Sequence, residues 1–264
     1  MSGKELAGKT AIITGGAGAF GTALGFEFAG KGASVVVADL DGVAAERVAE
    51  EIGRQSGVST LGIGCDVRQE VDVQKMVEQT VAAFSRVDVL VNNAGIFPMG
   101  ALSQTTVEDW DNIMAINVRG VFLCSKHVIP QMIEQKSGCM VNISSVVGRM
   151  AIPNLIPYSA SKAAVIAITV GLARELGSHG IRVNAVCPSS VETPGWAESK
   201  KALSSALGLP EDQVLNALIQ GQVIKRMLTP EEIARIVSWL ASDDTRMVTG
   251  QAISIDGGSV FPTY

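Results

Sequence analysis

The chain has 264 residues, 47% of them hydrophobic and 18% charged, enough to bury one large α/β core without a disulfide or metal as a staple. A net charge of −5 with no Lys/Arg run argues against a general basic field for nucleic acid, and two His with four scattered cysteines (Cys65, Cys124, Cys139, Cys187) argue against a zinc site. The first residues lack the apolar core of a secretory signal and no apolar run reaches the roughly 18 residues of a membrane span, so a soluble cytoplasmic protein with reduced thiols is expected.

Thr10–Thr14 reads TAIIT, a short apolar run ending in glycines, as a buried parallel strand does. The following GGAGAFGTALGFEFAGKG places Leu24 and Phe28 at helical spacing. Gly16, Gly18 and Gly21 fit Gly-x-Gly-x-x-Gly between strand and helix, where backbone N–H groups can approach a pyrophosphate at the helix N-terminus. Gly-rich turns are also common punctuation. Gly15, Ala17, Gly18, Ala19, Phe20 and Gly21 are the candidate lining of that turn. The second strand, 33–39, ends at Asp39, 18 residues after Gly21 and near the ~20 expected of an acid that binds an adenosine ribose. A carboxylate there repels a 2′-phosphate, and Leu40 and Asp41 follow it rather than a base, so NAD is expected over NADP. The competing reading of Asp39 is a helix cap or turn residue.

Gly42–Ser56 reads as a helix with Val43, Val48 and Ile52 inward. A third strand at 60–65 precedes Asp66 and Val67. A helix at 71–84 leads to a fourth strand at 87–91 and to Asn92-Asn93-Ala94-Gly95, where small and amide side chains leave room for a flat cofactor. Four strand–helix alternations predict a parallel, doubly wound sheet, whose ligands bind beyond the carboxyl ends of the strands. The stretch 106–135 reads as a long helix, with Asn117 inside it as a mediocre helix former able to break it locally and hold a water.

A fifth strand at 139–143 runs into Ser144-Ser145, and a helix at 158–176 opens SASK after Tyr158. Positions four apart share a helix face, so Lys162 lies beside Tyr158. A fixed positive charge favours a phenolate, which makes the pair a candidate proton-transfer device with Ser145 as a second hydrogen-bonding group. Tyr-x-x-x-Lys alone also fits a surface helix. After a sixth strand at 181–186 comes Pro188-Ser189-Ser190-Val191-Glu192-Thr193. The segment 194–227 reads as a helical insertion that can close over a pocket, or as a peripheral hairpin. Thr229-Pro230-Glu231-Glu232 starts a helix over 229–242, and Ala252–Ile255 is the last strand, before Asp256-Gly257-Gly258. The whole chain, 1–264, is expected to form a single domain.

These motifs together, TGGAGAFG, Asp66-Val67, NNAG at 92–95, Asn117, Ser145, Tyr158 to Lys162, the 188–193 segment and the terminal DGG, resemble the short-chain dehydrogenase/reductase family over nearly the whole length. The resemblance implies a seven-stranded Rossmann sheet with helices on both faces. It also implies hydride transfer between a nicotinamide and an alcohol or carbonyl, and a homotetramer, less often a dimer. It implies Tyr158 as proton donor and acceptor, Lys162 lowering its pKa and holding the nicotinamide ribose, Ser145 positioning the substrate oxygen, and Asn117 anchoring a relay water. Asp66 and Val67 then contact the adenine, Asn93, Ala94 and Gly95 flank the cofactor, and Pro188, Ser189, Val191 and Thr193 surround the carboxamide. Two positions depart from the family pattern: Ala19 and Ser189 stand where glycines are usual.

Val147, Met150, Ile152, Leu155, Trp196 and Leu203 form a mainly apolar candidate substrate pocket, which suggests a hydrophobic, cyclic or aryl-bearing alcohol or ketone. The alternatives are a 3-oxoacyl thioester reductase, against which Asp39 and the negative charge count, and a non-enzymatic nucleotide-binding scaffold. The tail 260–264, aromatic and Pro-containing, leaves open a contact with a neighbouring subunit.

Overall fold

The computed structural model describes residues 4–193 and 196–259. Pro194, Gly195 and the tail 260–264 therefore lie outside the described residues. Seven parallel strands, β1 (Thr10–Thr14), β2 (Ser34–Asp39), β3 (Thr60–Gly64), β4 (Val89–Asn92), β5 (Gly138–Ile143), β6 (Ile181–Pro188) and β7 (Ala252–Ile255), pair in the order β3-β2-β1-β4-β5-β6-β7. The winding reverses between β1 and β4, where a crevice opens at the carboxyl ends.

The pleat sorts the strand residues into two cores. Ala11 and Ile13 of β1, Val35 and Val37 of β2 and Val89 and Val91 of β4 face α1 (Ala19–Gly30), α2 (Gly42–Ser56) and α9 (Pro230–Ala241). Ile12, Val36, Leu90 and Met140 face α3 (Glu70–Phe84), α5 (Gly120–Gln135) and α6 (Ile156–Leu176). Phe28 is fully buried in the first core, worth roughly 2–3 kcal/mol of transfer free energy.

Three expectations change. Val43 is 78% exposed rather than inward, because it sits in the first turn of α2 and the buried stripe begins at Ala45, continuing through Ala49 and Ile52. The 106–135 helix is divided: α4 (Val107–Met114) passes through a π-helical turn at Ala115–Arg119 into α5, and Asn117 lies in that turn. Finally, Ile156–His179, α6 with its 3₁₀ extension, contains an 18-residue window of mean hydropathy 1.4 and is by length and composition apolar enough to cross a membrane. Small apolar residues raise its hydropathy, and the helix packs on the sheet through Val165, Thr169, Ala173 and Leu176. Within 194–227, the described residues form α7 (Trp196–Leu207) and α8 (Glu211–Ile219).

Candidate active site

A cleft of about 1340 Å³ opens at the carboxyl ends of β1, β2 and β4. It is lined by fourteen of the residues singled out in the sequence: Gly15, Ala17, Gly18, Ala19, Phe20, Gly21, Asp39, Leu40, Asp66, Val67, Asn93, Ala94, Gly95 and Thr193. Gly18 caps α1 with no side chain bonded to its first turn and no acidic residue within it, so the helix N-terminus faces the cleft uncapped. That arrangement suits the pyrophosphate of a dinucleotide. Ala19, the first residue of α1, keeps its methyl at the cleft wall.

Gly21 is required for the turn itself. A Cβ there would stand 2.2 Å from Gly15 O and 2.4 Å from Gly16 Cα. Gly21→Ala is therefore expected to cost about 2–3 kcal/mol of stability and to weaken nucleotide binding in the same variant. Melting and nucleotide titration check this, and wild-type values in both would show that the turn tolerates the methyl.

Asp39 closes the far side of the turn: Oδ2 accepts from Ala17 N–H at 3.0 Å and Oδ1 from Asp41 N–H at 3.3 Å. Asp66 is engaged by a residue the sequence reading passed over. Arg68 Nε and Nη2 donate to its carboxylate at 2.8–3.0 Å, and Arg68 Nη1 reaches Asn112 Oδ1 at 3.2 Å. The guanidinium holds the Asp66 carboxyl below its usual range. Asp-x-Arg at the end of a strand was the available signal for this pair. The Asn93 amide ties β4 to β1, donating to Thr14 O at 2.9 Å and Gly15 O at 3.0 Å.

The cleft meets the second cluster at Gly95, where a Cβ would lie 3.3 Å from Asn117 Oδ1 and 3.4 Å from Lys162 Nζ. Asn117 is fully buried. Its Oδ1 accepts from Ile96 N–H at 2.9 Å, and its Nδ2 donates to Ile96 O and to Ser161 Oγ, each at 3.0 Å. This side chain pins the loop after β4 to α6. Ser161 Oγ in turn donates to Tyr158 O at 2.7 Å.

Tyr158 is half-buried, with its ring edge-on to Phe97 (centroids 5.0 Å apart, 81° between planes) and Lys162 Nζ 5.6 Å from its centroid. The Ser145 hydroxyl lies near the phenol and donates to Pro188 O at 3.4 Å. Burial pushes the phenol up to about 12, with the Ser145 hydroxyl pulling the other way. Burial also brings Lys162 down to about 8. The expected lowering of the Tyr158 pKa by Lys162 is therefore not what this structure shows. The ammonium donates to Ile143 O at 2.8 Å and lies over the ring, and desolvation outweighs its field. Cys187 is fully buried nearby, and burial pushes its thiol up.

Among the apolar candidates, Met150 and Ile152 are exposed and Val147 and Trp196 half-buried, whereas Leu155 and Leu203 are buried and present little surface. Phe97, half exposed beside Tyr158, was missed because nothing in its surroundings is periodic. Val191 bridges to Leu228, and Ser189 contacts Gln222, so both belong to the base of the helical insertion.

A family model described as enoyl-(acyl carrier protein) reductase matches residues 16–260. The chain is similar to the 3-oxoacyl-[acyl-carrier-protein] reductase FabG of Thermotoga maritima, 39% identical over 97% of this chain and 99% of the relative. Among solved structures it resembles NAD⁺-bound xylitol dehydrogenase (TM-score 0.92, 31% identity, 97% of this chain and 100% of that one). It also resembles levodione reductase (TM-score 0.90, 33% identity, 96% and 98%).

Proposed function

The chain belongs to the short-chain dehydrogenase/reductase family of nicotinamide-dependent oxidoreductases, and on that premise we propose that it is NAD-dependent and interconverts a secondary alcohol and its ketone. The substrate carries an apolar, cyclic or aryl group beside the reacting carbon. The observation that carries this reading is the convergence of the Ser145 hydroxyl, the Tyr158 phenol and the Lys162 ammonium where the nucleotide cleft ends at Gly95.

The nicotinamide supplies the hydride acceptor or donor. Tyr158 takes the alcohol proton in oxidation and returns it in reduction. Ser145, near the phenol, holds the substrate oxygen. Lys162, held by Ile143 O, keeps a positive charge over the ring that favours the phenolate as it forms. Asn117 fixes the loop at Ile96 and, through Ser161, the start of α6. The exposed Phe97, Met150 and Ile152 support an apolar substrate.

Asp39 supports NAD. Its carboxylate is held in the cleft by two backbone N–H groups, and of the two arginines that line the cleft, Arg68 is already matched by Asp66. Asp39→Ala is expected to weaken NAD about tenfold, the size of a lost charge-assisted hydrogen bond, and to narrow the gap to NADP. An unchanged NAD dissociation constant would remove Asp39 from this role.

A 3-oxoacyl thioester reductase is the second reading, favoured by the similarity to FabG. Reduced-nicotinamide absorbance separates the two. NAD or NADP is supplied with aliphatic, cyclic, aryl and polyol secondary alcohols, and the reduced forms with the matching ketones and a 3-oxoacyl thioester. Turnover of the thioester alone, or with NADPH alone, would overturn the first reading.

A further inference from the structure

We infer that Ser189 and Gln222 form a tie that sets the position of the α7–α8 pair beyond the end of β6, which makes Gln222 a positioning residue for substrate capture. The inference rests on the functional reading above only for its kinetic consequence. The tie itself is visible in the geometry.

The helical pair hangs from two legs, one leaving β6 after Pro188 and the other returning to α9. The legs are stitched together where Leu228 N–H donates to Ser190 O at 3.0 Å, Glu192 N–H donates to Leu228 O at 2.9 Å, and Val191 bridges to Leu228. Nearer to α8, the returning leg is held by a buried side chain. Gln222 is only 2% exposed, although Val223 and Ile224 beside it are well exposed. With its amide oriented so that each atom meets a complementary partner, Oε1 accepts from Ser189 Oγ at 2.8 Å. Nε2 then donates to Ile224 O at 2.9 Å and Arg226 O at 2.7 Å.

One buried amide thus curls the returning leg on itself and fastens it to the end of β6. Val223 and Ile224 N–H both donate to Gly257 O, at 2.8 and 2.9 Å, which fixes the same leg from the other side. Two further contacts connect the tie to the site. Ser189 follows Pro188, whose carbonyl contacts the Ser145 hydroxyl. Arg226, whose carbonyl Gln222 holds, pairs with Glu232 at 2.6 and 2.8 Å in the first turn of α9, and that pairing keeps the Glu232 carboxyl down at about 2.

A glycine at 189 cannot make this bond. The departure from the family pattern therefore adds a hydroxyl where the returning leg needs a donor. Without it, the buried Gln222 oxygen is left unpartnered and the leg has one constraint fewer.

The test combines kinetics with a measurement that needs no substrate. Ser189→Ala is expected to raise the substrate KM about fivefold, the loss of one hydrogen bond. Gln222→Leu should raise KM about tenfold, and the double variant should match Gln222→Leu alone, because both changes break the same contact. Trypsin cleavage after Lys200 or Lys201 in α7 should accelerate in each variant at an unchanged melting temperature. An unchanged KM and cleavage rate in Ser189→Ala, or independent addition of the two effects, would overturn the tie. So would a fall in melting temperature with neither KM nor cleavage moved. Should Gln222→Leu fail to fold, Ser189→Ala decides by the same two readouts. Should the wild type turn over no alcohol or ketone, the functional reading fails and the cleavage rates still decide on the tie.

Discussion

Tyr158→Phe is expected to lower turnover about 10³-fold while leaving nucleotide binding within about twofold of wild type. The ring keeps its edge contact with Phe97 and its place beside Lys162, so the substitution removes one oxygen and little packing. What disappears is the hydroxyl proposed to move the alcohol proton. The wild-type oxidation rate should rise with pH above neutrality, because a phenol held near 12 carries its proton at pH 7 and must give it up before it can act as the base. The residual rate of the variant should not follow that rise. Stopped-flow hydride transfer with nucleotide titration in parallel reads both quantities. Undiminished turnover would place the proton transfer elsewhere and favour a nucleotide-binding scaffold or another catalytic group.

The second large effect is at Lys162, and it has two opposite signs. Lys162→Met should cut turnover by about 10²-fold or more, since the charge over the Tyr158 ring is lost. It should also stabilise the fold at neutral pH. A buried lysine brought from 10.5 to about 8 carries a folding cost of about 3 kcal/mol below pH 8, against which its bond to Ile143 O returns about 1 kcal/mol. Between pH 8 and 10.5 the unfolded chain binds the proton and the folded one does not, so wild-type stability rises with pH across that window. The variant lacks this rise. Its melting temperature should exceed that of the wild type by several degrees at pH 7, and the gap should close towards pH 10. Above pH 10 both proteins lose stability, because the folded state holds the Tyr158 proton up to about 12 while the unfolded state releases it near 10. A gap independent of pH from 6 to 9.5 would mean that Lys162 keeps its proton in the folded state as it does in the unfolded one, so that burial does not lower it.

The sequence was most legible where one physical requirement dominates. β1, α2 and β7 lie where apolar runs and flanking turn residues place them, because a buried parallel strand has few alternatives. The residues that line the cleft were equally readable. They are turn and strand-end residues, and the sheet order brings such ends to one edge. Val43 misled because the first turn of a helix lies beyond the packed stripe. Arg68, Phe97 and Gln222 went unseen for a different reason. Each gains its role from a partner brought close by the fold rather than by any periodic pattern. The sign of the Tyr158 shift was out of reach too, since a four-residue spacing reports that two groups are neighbours and says nothing of the water removed from both.

The sheet order also governs how the molecule is built in time. β1 ends at Thr14 and pairs with β4, which begins at Val89, so the strand pair flanking the nucleotide cleft closes a loop of more than seventy residues. Pairings that distant are slow to find, and chains dominated by them fold in milliseconds to seconds while local helices form in microseconds. In refolding from denaturant, helical signal should therefore recover well before the cleft can take up a nucleotide. The competence to bind is then the last property the chain acquires, and the rate at which it appears measures closure of the central strand pair.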